Sequence, residues 1–130
     1  MKGRLIETHK ISKLNRQSIE VCTLDEKDSD GANHKYRITV RKSDLLEDVE
    51  PITYVDLQFQ QGGLAEVGPN GITDQALLAI VLDRMMGFQQ GPFWCKENMA
   101  VISSLKQTLE LMEARYKDRA KRNVEGVRAV

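Results

Sequence analysis

Apolar and polar residues alternate through three stretches of the first half of the chain. In residues 18–24 (SIEVCTL), Ile19, Val21 and Thr23 fall on one side. In residues 35–41 (KYRITVR), Tyr36, Ile38 and Val40 do so, and in residues 52–60 (ITYVDLQFQ), Val55, Leu57 and Phe59. A period of two is the mark of a strand with one face turned inward. The polar run DEKDSDGAN separates the first two stretches and contains Gly31, which suits a hairpin connection. KSDLLEDVEP, residues 42–51, has room for one helical turn after Ser43, stopped by Pro51. The pattern predicts a small antiparallel sheet with one wet face over residues 1–60.

The period then changes. Residues 61–73 (QGGLAEVGPNGIT) carry four glycines and a proline, leave little room for regular structure, and form a connector. Thr73 or Asp74 can cap a helix by accepting bonds from its free N–H groups. Leu77, Val81, Arg84 or Met85, and Phe88 follow at helical spacing, with Leu78 and Leu82 widening the stripe. Gly91-Pro92 interrupts, and Pro92 fits the first turn of a following helix. That second helix is expected from about Trp94 to about Lys121, with Ile102, Leu105, Leu109, Met112 and Tyr116 spaced 3-4-3-4. A rod of roughly 40 Å outruns a hairpin partner of roughly 25 Å. The uncovered part of the seam predicts self-association. Residues 74–130 thus read as a helical hairpin with a tail, and the whole chain as one α+β domain.

Composition narrows the function classes. With 130 residues, 41% hydrophobic and 29% charged, the chain is an ordinary globular one. No apolar run approaches the ~18 residues of a membrane span. The first ten residues, MKGRLIETHK, lack the apolar stretch of a secretory signal. Cys22 and Cys95 stand far apart, which fits a reducing compartment and neither a disulfide framework nor a zinc site. The net charge of zero excludes a bulk nucleic-acid coater. Its distribution is uneven, however: residues 115–130 hold six bases against Asp118 and Glu125, enough to attract a small polyanion.

Catalytic chemistry finds little support. The two histidines, His9 and His34, lie in no nucleophile or metalloprotease motif. His34, in GANHKY, is a ligand-contact candidate, set against the plainer reading of a turn histidine. EKDSDG resembles the start of a calcium loop, but Arg37 would occupy the position of the bidentate acid, so no metal is expected. The bases say more. Arg115, Arg119 and Arg122 stand at i, i+4 and i+7 on one helix face, and a guanidinium offers a planar fork of donors for phosphate. Cations are also favoured near a helix C-terminus for purely local reasons. At the helix junction, Phe88, Phe93 and Trp94 fall within seven residues, with Asn98 one turn on. Core packing accounts for such rings in most proteins, but three beside an amide also suit a purine.

These residues carry a resemblance. LLAIVLDR, FQQGPF, the Cys95-Lys96-Glu97-Asn98 run, Arg115 to Arg119, and RNVEG at 122–126 resemble the helical hairpin of the Thoeris anti-defence protein one family of phages, and of the related anti-CBASS cyclic-nucleotide sponges. GANHKYRI and LQFQQGGLAEVGPNG are similar to that family's first half. The resemblance implies a phage-encoded protein in the host cytoplasm, with no enzymatic activity and no cofactor. Such a protein sequesters glycocyclic ADP-ribose isomers made by TIR-domain enzymes. Some relatives also hold cyclic di- or trinucleotides and assemble as a trimer of dimers. It further implies ligand contacts at Phe88, Asn98, Arg115 and Arg119, to which the aromatic cluster adds Phe93. A second, oligonucleotide-type pocket would lie at Arg122, Glu125 and Gly126. The chain departs from the family at Trp94, where a small residue is usual, and at Tyr116, Asn123 and Val127.

One geometric consequence is independent of the resemblance. Asn98 and Arg115 are 17 positions apart on one expected helix, roughly 25 Å along its axis. A ligand of dinucleotide size touches both only if the second helices of two chains pack antiparallel, giving two equal sites per homodimer. The rival expectation is a helical dimer that uses the same bases to bind nucleic acid.

Overall fold

The computed structural model describes residues 3–41 and 53–124. The chain divides into two compact units, Met1–Gln61 and Gly62–Val130. The expected α+β arrangement holds: a four-stranded antiparallel sheet followed by helices.

In the first unit the strands are β1 (Leu5–Ile6), β2 (Ile19–Thr23), β3 (Lys35–Val40) and β4 (Thr53–Gln58), in the spatial order β1-β2-β3-β4. Three of them fall where the alternation placed them. Their register puts Val21 opposite Ile38 and Ile38 opposite Val55, so the apolar sets share one face of the sheet. Burial is shared between the two faces: Thr23, in the apolar set, is 2% exposed, and Cys22 and Thr39, on the other face, are also buried, while Val55 on the edge strand is 51% exposed. The described residues of the unit contain one helix, the six-residue α1 (Lys13–Ser18), packed on β2. At roughly 9 Å it cannot cover a face of strands twice as long.

Neither β1 nor α1 was expected. β1 is held by backbone and side chain together: Gly3 N donates to Thr23 O (2.9 Å), Thr23 N to Arg4 O (2.9 Å), and Arg4 N to the Thr23 hydroxyl (2.8 Å). Gly3 is required there, because a Cβ would collide with Thr23 Oγ1 and the Thr23 carbonyl. Ser12 caps α1, and His9 Nε2 lies 2.9 Å from the Ile19 carbonyl. The turn expected within residues 42–51 lies outside the described residues.

In the second unit, one short helix, α2 (Leu64–Val67), forms within the connector, where little regular structure was expected. Then come α3 (Asp74–Gln89) and α4 (Lys96–Val124), which pack together. Thr73 caps α3, its hydroxyl accepting from Ala76 N (3.1 Å). Pro92 sits in the inter-helix turn, not in the first turn of α4 as expected. The stripe of α3 is rotated from expectation: Leu77, Leu78, Leu82 and Met85 are half-buried, while Val81 and Phe88 are exposed. On α4 the seam is as read through Met112, with Ile102 buried and Leu105 and Leu109 half-buried. Tyr116, on the same line, is 57% exposed. Length explains this, since 16 residues of α3 span about 24 Å and 29 residues of α4 about 43 Å. No described helix is long and apolar enough to cross a membrane.

Candidate ligand-binding site

The α3–α4 turn gathers three of the expected site residues. Phe88 lies in the last turn of α3, with the Arg84 guanidinium 5.4 Å from its ring centre. Phe93 and Trp94 lie in the turn itself and are 75% and 69% exposed. Asn98, in the first turn of α4, donates its amide N–H to the Phe93 carbonyl (3.1 Å). The Gln89 side chain accepts from Cys95 N (3.1 Å) and so satisfies one of the N–H groups that open α4. Sequence reasoning singled out Asn98 as a ligand amide and missed this backbone role. The signal was a polar amide a few positions after a helix-breaking Gly-Pro.

Arg115 and Arg119 are on α4, the first exposed and the second partly covered. Because α4 is unbroken from 96 to 124, they stand roughly 25 Å (Arg115) and roughly 31 Å (Arg119) along the helix from Asn98. One chain therefore does not bring the arginines to the aromatic turn. Arg122 continues their line, and its guanidinium is paired with Asp118 (2.6 Å). Glu125 and Gly126 lie outside the described residues.

His34 belongs to the sheet unit. It is 5% exposed, and its Nε2 meets the Asp30 carboxylate at 2.9 Å. The hairpin that contains it is tied by carboxylates. Asp25 accepts from the backbone N–H groups of His34 (3.0 Å) and Lys35 (3.2 Å) and from the Asn33 amide. Desolvation acts to raise the Asp25 carboxyl, but these donors outweigh it and hold the group below the ordinary carboxylate range. Asn33 in turn accepts from Arg4 (2.6 Å). The Gln61 amide and the Ser29 N–H lower Asp28 similarly.

Closure of the loop at Gly31 (φ 93°) brings Asp28, Asp30 and His34 within 4.8 Å of one another, a grouping the sequence did not disclose. Its oxygens already accept from Ser29, Gln61, Ala32 and His34. The His34 Nδ1 is buried and has no partner among the described residues. A metal-bound imidazole ordinarily passes its second N–H to an acceptor, so the cluster reads as a staple of the loop.

On the sheet, Arg37 and Asp56 face each other across β3 and β4 in a two-bonded pair (2.6 and 2.8 Å), with Arg37 also over the Tyr54 ring at 4.5 Å. Each raises or lowers the other toward its charged form.

No family model matches the chain. Thoeris anti-defense 1 of Bacillus phage SBSphiJ7 is 37% identical to it over 70 residues, which make up 54% of this chain and 49% of that protein. The chain thus aligns with about half the length of the curated relative it matches. The similarity supports the Thoeris anti-defence family.

Proposed function

We propose, from the relationship to the Thoeris anti-defence family, that this chain is a non-catalytic sponge. It captures a glycocyclic ADP-ribose messenger in the host cytoplasm and so blocks Thoeris signalling. The observation that carries the reading is the division of α4: an aromatic and amide cluster at its beginning and an arginine line near its end. An ADP-ribose-type ligand needs both chemistries, a face for adenine and cationic forks for its two phosphates. One rod holds them too far apart, so the site is completed by a second copy whose α4 runs antiparallel. The arginines of one protomer then meet the turn of its partner. Affinity comes from guanidinium–phosphate pairs, ring contact and burial of the ligand. Cyclic di- and trinucleotides, the second pocket near Arg122 and a trimer of dimers are extensions of the same reading.

Isothermal calorimetry with the purified messenger tests it. Arg115→Ala and Arg119→Ala should each weaken capture roughly tenfold to a hundredfold, the effect of about 1.5–3 kcal/mol for one charge-assisted bond. Both variants should stay folded, since Arg115 is exposed, Arg119 only partly covered and neither buried. Unchanged affinity in both would remove the arginines from the site. Ligand recovered intact after denaturation is the expected result, and a cleaved product would make the protein an enzyme. Mixing Asn98→Ala and Arg119→Ala chains tests the geometry. A heterodimer collects both defects in one site and leaves the other whole, so half of the sites should regain full affinity. Duplex binding that falls steeply with salt would favour the nucleic-acid alternative.

A further inference from the structure

The turn between α3 and α4 is tied at each step. Gly91 N donates to Phe88 O (3.2 Å), Trp94 N to Gly91 O (3.3 Å), Cys95 N to the Gln89 side chain (3.1 Å), and Asn98 to Phe93 O (3.1 Å). Against this fixed backbone, Trp94 leaves 69% of its surface in water. Aromatic rings carry the largest apolar payload of any side chain, and a fold that needed this one for its core would bury it. A rigid backbone holding an exposed ring has already met part of the ordering cost of binding.

The polar groups around the ring indicate its occupant. Gln90 supplies an exposed amide within a few positions of Trp94, and Gln89 and Asn98 supply the amide atoms not used in their bonds to Cys95 N and Phe93 O. Amides beside an aromatic face match a heteroaromatic base, whose edge requires donors and acceptors, better than they match the aliphatic side of another helix. We propose that Trp94 is a specificity-determining residue of the capture site, its indole stacking on the adenine of the ADP-ribose-type ligand. This rests on the sponge reading above. It adds a contact to the site, at a position that the resemblance did not assign to the ligand.

The chain has one tryptophan, so its emission reports this position alone. Titration with cyclic ADP-ribose and with the glycocyclic isomer should quench Trp94 in step with calorimetric saturation. Trp94→Ala should weaken binding about tenfold to a hundredfold, and Trp94→Phe should recover most of the loss. The exposed position makes misfolding of these variants an unimportant cause, and helical circular dichroism checks it. If the wild-type chain binds and Trp94→Ala binds equally well, the stacking role is overturned while the sponge reading stands. If neither nucleotide binds the wild-type chain, both fall. If Trp94→Ala changes the sedimentation coefficient of the ligand-free protein, the ring is a contact between copies and the proposal is overturned.

Discussion

The buried side chains of the sheet unit are mostly polar, namely Thr23, Asn33, His34 and Thr39 beside Cys22, whereas in the helical unit the one buried described residue is Ile102. The first unit is organised by a network of paired donors and acceptors. Arg4 reaches Asn33, Asn33 reaches Asp25, Asp25 gathers the backbone at 34 and 35, and Asp30 holds His34. Such a network contributes little per bond but is expensive to leave half-made, so it selects a single loop geometry. The second unit is a thin zipper of half-buried leucines that leaves Val81, Phe88, Phe93, Trp94, Met99 and Val101 in water. The two units are held by different means, a polar network in one and a narrow apolar seam in the other.

The comparison breaks most severely at Ile102. It is 8% exposed in a unit with no deeper core, so Ile102→Ala removes contacts that nothing nearby can replace. A loss of about 2–4 kcal/mol is expected, read as a fall in the urea midpoint of helical circular dichroism. Hydrogen exchange of the sheet amides in the same variant tests whether the sheet depends on the hairpin, and unchanged protection is expected. Simultaneous loss of protection in β2 and β3 would show that the hairpin supports the sheet.

The matching break in the sheet unit is Asp25→Ala. It strips the acceptor from the His34 and Lys35 N–H groups and from the Asn33 amide, and should cost about 1–3 kcal/mol. Acid should do part of the same work. Asp25, Asp28 and Asp56 all titrate below their ordinary value in the folded chain, so the folded state binds fewer protons than the unfolded one near pH 4. Their contribution is complete above that range and is lost as the pH falls through the folded values. Thermal unfolding followed by the near-ultraviolet signal of Tyr36 and Tyr54 should weaken below about pH 4. Asp25→Ala should show a shallower acid slope. An equal slope in the variant would mean that Asp25 gains nothing from its donors.

The two units also differ in how far the sequence disclosed them. Alternation found β2, β3 and β4, and the spacing of Leu77, Leu82, Ile102, Leu105 and Leu109, broken by Gly91-Pro92, found α3 and α4. β1 has two residues and α1 six, too few for any period to register. Alternation reports which residues share a face, not how far each is covered, so the burial of Cys22 and Thr39 opposite the apolar set was not legible. The stripe on α3 was misjudged for a related reason: its apolar arc is wider than one neighbouring helix can cover, so pattern alone cannot choose the buried half. The candidate site residues were legible as residue types and spacings. The grouping of Asp28, Asp30 and His34 was not, because it exists only once Gly31 has turned the chain, and neither was the bond from Asn98 to the Phe93 carbonyl.

The smallest expected effect on stability comes at the free end of the seam, where it separates a surface that holds the fold from one that serves a partner. Tyr116 continues the line of Ile102, Leu105, Leu109 and Met112 past the reach of α3 and is 57% exposed. Leu111 is 64% exposed as well, but five positions away on a helix it points about 140° from Tyr116. Neither side chain is buried, so Tyr116→Glu and Leu111→Lys should each move unfolding by no more than about 0.5 kcal/mol. Their effects on assembly should differ. If two copies meet along the uncovered seam, a charge at Tyr116 must be desolvated on association, and the dimer should dissociate at lower dilution than the wild type. The charge at Leu111 remains in water and should leave the sedimentation profile unchanged. Equal profiles for both variants would place the contact between copies elsewhere than this seam. Weaker assembly in Leu111→Lys alone would turn the interface to the opposite face of α4, and with it the route by which the arginines of one chain reach the aromatic turn of the other.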